Sequence, residues 1–296
     1  MLVADRAIDE RALANLLRSE FEEAADPVFV PVGGDSWNYR AGRWWLSVRR
    51  DRQGYSAAAY EAACELREQG HEFVLAPSRG RSGRIVFPVD NRPVIVSPFT
   101  EGRAAFPAGL ARRELLALSE AVEALHSATV AAQVPHESFA LPFESELADG
   151  LARASSHAHD AAGPFASDVA RLVETNAVRI SDWRDEIAGL QARCRIDPGR
   201  LVLTHGEPEP PNVMVTKAGR LLLLDWGDLL YAPPERDARA LGHVGIELQG
   251  RPGVMRFYEL RWILGEVAEY VAALTLPHTG DAEGLRMRRE LDNYLH

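Results

Sequence analysis

Cysteine is scarce in this 296-residue chain: Cys64 and Cys194 stand far apart, with no ligand-spaced neighbours. That excludes a disulfide framework and a cysteine zinc site, and it leads us to expect a reducing compartment, the cytoplasm. No run of about 18 uncharged apolar residues occurs, so no membrane-spanning helix and no membrane partner are expected. The opening stretch, MLVADRAIDERALANLLRSEF, lacks the basic start and apolar run of a secretion signal. A basic surplus is also missing. The formal net charge of −10 speaks against a nucleic-acid partner and suits solubility or the attraction of a cationic small molecule. Internal repeats and low-complexity tracts are absent. What remains, 46% hydrophobic and 26% charged residues, is the composition of a soluble globular protein long enough for two lobes.

Periodicity gives the order of elements. Residues 1–25 form an amphipathic helix with Leu13, Leu16, Leu17 and Phe21 at helical spacing. The alternation of Val28, Val30 and Val32, the break at Gly33-Gly34, the stretch from Trp37 to Arg40, the turn Ala41-Gly42 and then RWWLSVRR predict an antiparallel sheet. A helix over 56–70 closes on Gly70, and strands follow near 84–88 and 93–98. Beyond residue 100 the pattern turns helical, over 107–129, 138–161, 164–194 and two segments of the tail. One hairpin-like insertion interrupts it, LTHGEPEPPNVMVTKAGRLLLLDWGD from Leu203 to Asp228.

That insertion gathers His205, Glu207, Glu209, Asn212, Asp225 and Asp228. NVMV and RLLLLDW read as two strands around the turn TKAG, and folding them antiparallel brings Asn212 and Asp225 to the same end. Oxygen ligands without cysteine or a histidine pair suit a hard ion such as magnesium, which keeps waters and shares substrate phosphates. A carboxylate beside it, Glu207, would orient or deprotonate an attacking hydroxyl. These are the parts of a phosphoryl-transfer site.

The motif HGEPEPPN followed by LLLLDW resembles the H-G-D-x-x-x-x-N … D-W signature of the aminoglycoside phosphotransferase family, which includes choline kinases. APPERD resembles that family's next element, and the likeness runs from about residue 30 to 245. It implies an α+β fold of the two-lobed protein-kinase-like kind. Residues 1–100 would be a small antiparallel-sheet N-lobe covering the nucleotide, and residues 101–296 a larger, mainly helical C-lobe with the catalytic loop and acceptor pocket. It implies ATP and magnesium as cofactors and transfer of the γ-phosphate to a hydroxyl of a small molecule, an aminoglycoside or other amino sugar, as in antibiotic resistance. The alternative is a weakened kinase-fold protein that binds nucleotide as a regulatory module. By the same likeness Glu207 takes the place of the catalytic carboxylate, Asn212 and Asp225 those of the magnesium ligands, His205 braces the loop, and Asp237 anchors it through backbone hydrogen bonds.

Two departures stand out. Glu207 replaces the family's aspartate, one methylene longer with a similar reference pKa, so Glu209 and Asp228 stay in reserve as base or ligand. The family also places a phosphate-binding lysine on the third strand, paired with a helix glutamate. Here Ser47 falls at that position. Arg49, two residues on and on the same face, would serve as a bidentate phosphate clamp, with Glu61 or, one turn on, Glu65 as its partner. Gly33, Gly34 and Ser36 would cap phosphates with backbone amides. Ser97, Pro98 and Phe99 would lie beside the base. Glu144, Glu146, Asp149, Glu266 and Glu269, with Tyr258, Trp262 and Tyr270, are the candidates for holding a cationic acceptor.

Overall fold

The computed structural model describes residues 5, 7–32, 36–50, 55–156 and 162–296. Helix α1 (Glu10–Phe21) starts where the Asp9 side chain accepts the Arg11 N–H, an N-cap bond that satisfies an otherwise unpaired donor. Strands β1 (Val28–Val30), β2 (Ser36–Ala41) and β3 (Trp44–Arg49) follow, then α2 (Ala57–Glu68), capped by Ser56, and β4 (Val86–Val89) and β5 (Arg92–Pro98). The five strands form one antiparallel sheet in the order β1-β2-β3-β5-β4.

Alternation decides what each face of this sheet does. Leu46 and Val48 of β3, with Tyr39, Phe87, Val94 and Val96, bury against Leu13, Leu17 and Phe21 of α1. Trp45, Ser47 and Arg49 therefore stand on the opposite face. There Asn38 of β2 ties three segments together: its Oδ1 accepts from Ser47 Oγ (2.8 Å) and Trp45 Nε1 (3.2 Å), and its Nδ2 donates to the Val32 carbonyl (2.8 Å).

Next come β6 (Gly102–Ala104) and α3 (Arg112–Ser127), then α4 (Glu144–Ser155), α5 (Ala166–Thr175) and α6 (Ala177–Ile196). They are followed by β7 (Val202–Thr204), β8 (Val213–Thr216), β9 (Leu221–Leu223), β10 (Leu230–Ala232), α7 (Glu235–His243), α8 (Pro252–Thr275) and α9 (Ala282–Leu295). The helix expected over 164–194 is broken at Asn176, whose φ of −104° and ψ of 12° depart from helical values and whose Nδ2 donates to the Leu172 carbonyl at 3.0 Å. Side-chain competition of this kind is what asparagine brings to a helix interior.

The chain packs as two compact units. One joins Leu2–Glu137 to Arg200–Gln249. In it β6 pairs with β8 and β8 with β9, β7 pairs with β10, and Leu223 exchanges backbone hydrogen bonds with Phe73 and Leu75. The boundary expected at residue 100 falls inside this unit, because β6 and α3 pack on the strands that follow Arg200. The other unit joins Ser138–Gly199 to Gly250–His296 around a core of Phe143, Leu147, Val169, Ile187, Phe257 and Leu264. Tyr258 and Tyr270 belong to that core, at 3% and 4% exposed, and the Tyr270 hydroxyl donates to Glu266. No helix among the described residues is long and apolar enough to cross a membrane.

Candidate active site

The site lies within the first unit and is built from the loop after β7 upward. Asp237, near the start of α7, has no exposed surface. Its Oδ1 accepts the Gly206 N–H (2.6 Å), and its Oδ2 accepts the His205 N–H (3.0 Å) and sits 2.9 Å from His126 Nε2 on α3. Burial opposes its charge, but His126, Arg236 and the Gly206 amide outweigh burial and hold the carboxyl below the usual aspartate range. Arg236 continues the brace through the Thr204 carbonyl (3.2 Å) and hydroxyl (3.0 Å) and the Asp228 carbonyl (3.1 Å). Gly206 has to be glycine: its φ is +100°, and a Cβ would stand 2.3 Å from Arg236 Nη2.

His205 is buried and its Nε2 donates to the Leu224 carbonyl at 2.7 Å, while its ring edge meets Trp226 with centroids 4.9 Å apart. Burial pushes its pKa down, so the imidazole is neutral and acts as a strut between the loop and the end of β9.

Glu207 follows directly. Solvent reaches much of the residue, yet protein crowds its carboxyl; burial first, then the neighbouring Glu209 charge, push its pKa up to about 7. Glu209 is engaged elsewhere, by Arg239 Nη2 (3.5 Å) and His243 Nδ1 (3.7 Å). Asn212 closes the loop by donating its side-chain amide to the Glu207 carbonyl (3.1 Å), and its own carbonyl accepts from the Leu224 N–H (2.9 Å). The β8–β9 register, Val213 opposite Leu223, thus sets Asn212 beside Leu224 and next to Asp225. Asp225 adopts φ 54° and ψ 72°, in the left-handed region, a conformation that costs energy in a non-glycine residue and collects at functional sites. Asp228 ends the same turn, its pKa raised by burial and by Asp225 against the pull of Arg236. Together Asn212, Asp225 and Asp228 offer oxygen donors only, the set that suits magnesium. Among the described residues no group of three or more histidine, cysteine, aspartate or glutamate side chains is arranged to hold a metal ion.

Arg49 comes to this turn from β3. It is 8% exposed, with Nη1 3.9 Å from Asp225 Oδ1 and 3.4 Å from Tyr60 Oη, and its Nε is buried without a hydrogen-bond partner among the described residues. Burial works against its charge, but Tyr60 and Asp225 more than offset it and the guanidinium stays protonated. Burial pushes the Tyr60 phenol up to about 12, so it is neutral. Ser47 has its hydroxyl on Asn38. The helix glutamates go elsewhere: Glu61 pairs with Arg79 at 2.5 Å, and Glu65 accepts the Ala131 N–H at 2.6 Å. The pattern AAYEAACEL did not single out Tyr60, although Ala59, Tyr60, Ala62, Ala63 and Leu66 are the buried face of α2 and Glu61 lies off it. His126, Arg236 and Arg239 were likewise absent from the sequence reading; only the fold brings them to the loop.

On the face of the sheet that carries Arg49, Ser36 opens β2 opposite Arg49 and Ser97 pairs with Trp45. Phe99 donates its N–H to the Arg43 carbonyl (2.7 Å) and stacks on Trp45, with Arg40 3.9 Å above its ring centre. Gly33 and Gly34 lie outside the described residues.

Residues 38–270 match the profile of the phosphotransferase enzyme family. Protein StrN of Streptomyces griseus is 37% identical over 309 residues, an alignment that takes in 100% of this chain and 96% of that protein. Among solved structures, the spectinomycin phosphotransferase APH(9)-Ia, in complex with ADP and spectinomycin, superposes with a TM-score of 0.77 at 15% identity, covering 97% of this chain and 94% of that one. The choline kinase LicA of Streptococcus pneumoniae gives 0.54 at 13%, covering 97% and 98%. The fold is therefore protein-kinase-like, with an antiparallel-sheet N-terminal region and a helical C-terminal region, and the chain belongs to the phosphotransferase enzyme family, as a small-molecule phosphotransferase.

Proposed function

We propose that the chain transfers the γ-phosphate of ATP, with magnesium, to a hydroxyl of a small molecule bearing amino groups, such as an amino sugar. The observation that carries this is the turn where three roles meet. Asn212 bonds the Glu207 carbonyl, the backbone of Leu224 bonds Asn212, and Arg49 lies against Asp225. Glu207 would accept the hydroxyl proton; a carboxyl whose pKa is about 7 exchanges a proton readily at neutral pH. Asn212 and Asp225, with Asp228 beside them, would hold magnesium, which supplies charge neutralisation on the transferring phosphoryl group.

Arg49 would bind the nucleotide phosphates. The chain has one lysine, Lys217, on the exposed β8–β9 turn beside Glu101, so an arginine must take any such role. Its unpartnered buried Nε is a donor awaiting an anion, and a guanidinium fork suits phosphate. Neighbours named for spectinomycin and for choline support a small-molecule acceptor, and the net charge of −10 suits a cationic one. The test is nucleotide binding with and without magnesium, followed by ATP turnover against amino sugars and amino alcohols. Magnesium-dependent binding with turnover on one acceptor class is expected; binding without turnover on any acceptor favours a regulatory module, and no binding sinks the proposal.

A further inference from the structure

We infer that Tyr60 is the positioning residue for Arg49, holding the guanidinium with a phenol where the family likeness assigns a helix carboxylate. This rests on the function proposed above. Four observations converge on it. Tyr60 is 4% exposed and its hydroxyl accepts from Arg49 Nη1 at 3.4 Å. Every nearby α2 carboxylate is directed elsewhere: Glu61 and Glu68 face Arg79, at 2.5 and 4.0 Å, and Glu65 takes the Ala131 N–H. The turn after Asp225 is cut back to admit the phenol, since a Cβ on Gly227 would stand 2.7 Å from Tyr60 Oη and 3.5 Å from Arg49 Nη1. The start of α2 is pinned to that same turn by the Ser56 N–H on the Gly227 carbonyl, at 3.2 Å.

The chemistry differs from that of an ion pair. A carboxylate facing Arg49 would neutralise it and satisfy two of its N–H groups. A phenol accepts a hydrogen bond and adds no charge of its own, so beyond the Asp225 carboxylate at 3.9 Å nothing it brings competes for Nε or offsets the guanidinium further. Tyr60 thus orients the clamp without competing for it. Helix α2, β3 and the Asp225 turn meet at its hydroxyl, so the clamp and the candidate magnesium ligand are held in one frame.

The experiment is a titration of the full-length protein with MgADP, with steady-state kinetics for ATP and acceptor where turnover is found. Tyr60→Phe keeps the ring and removes the hydroxyl. It is expected to raise the MgADP Kd about five- to tenfold, the upper part of the range for an ordinary hydrogen bond, as suits a contact of 3.4 Å, with the acceptor KM and Tm unmoved. Glu61→Gln is expected to raise that Kd by less than Tyr60→Phe does. Arg49→Lys and Tyr60→Phe together are expected to cost less than the product of their separate effects, because they remove the same contact. An unchanged Kd in Tyr60→Phe, or a larger rise in Glu61→Gln, overturns the inference and leaves the proposed function standing. Failure of the unaltered protein to bind MgADP overturns both.

Discussion

Asp237 and Arg49 are both charged side chains buried in the same compact unit, and they are treated in opposite ways. Asp237 has two backbone N–H donors and a histidine on its two oxygens, all at 2.6–3.0 Å. Arg49 has one long hydrogen bond, one ion pair at 3.9 Å and a buried Nε with nothing on it. Burying a charge is tolerable only when its polar groups are paired. The protein satisfies that rule fully at Asp237, whose job is to hold a loop in place. It leaves the rule open at Arg49, where the proposed function would supply an anionic partner, the nucleotide phosphates.

Substitutions can break this contrast. The largest effect is expected for Asp237→Ala, which strands the His205 and Gly206 amides: a loss of about 3–5 kcal/mol of stability, read in a urea melt, with activity lost as well. Glu207→Gln is expected to keep the melt intact and lower kcat by about 10²–10⁴-fold, the span of a general base, measured by phosphate transfer. Arg49→Met gives the sharpest contrast with Asp237. Burying a poorly paired charge is itself costly, and the Asp225 left behind is 46% exposed and keeps its water, so the melt should hold or improve while the MgADP Kd rises about 10–100-fold, the loss of charged hydrogen bonds. A fall in stability there like that of Asp237→Ala would erase the distinction. The mildest test is pH. As the proposed base Glu207 would work only when ionised, and its pKa is pushed up to about 7, so kcat/KM should rise about tenfold per unit below that point and level above it. The limb should vanish in Glu207→Gln.

Much of this was legible in the sequence because it rests on periodicity. The alternation in RWWLSVRR put Arg49 and Ser47 on one face, and the turn TKAG fixed the hairpin that sets Asn212 beside the end of β9. What was not legible depends on rotation and on distant partners. In AAYEAACEL, Tyr60 and Glu61 are adjacent and both suit a helix; only the roll of α2 against β9 and the Asp225 turn turns the phenol inward and the carboxylate toward Arg79. His126 reaches Asp237 across more than a hundred residues, a pairing no local pattern encodes. The break at Asn176 escaped for a related reason, since one side-chain bond outweighed good helical spacing on both sides.

The amide of Asn38 gives the serine at the lysine position a settled life of its own. With the Ser47 hydroxyl and the Trp45 indole on its Oδ1, and the Val32 carbonyl on its Nδ2, it makes position 47 part of the sheet's wiring. A strand presents its roles at intervals of two residues, so phosphate binding could move along β3 to Arg49 without altering the fold. Placing a lysine at 47 would cut the Asn38 wiring and set two cations on one face.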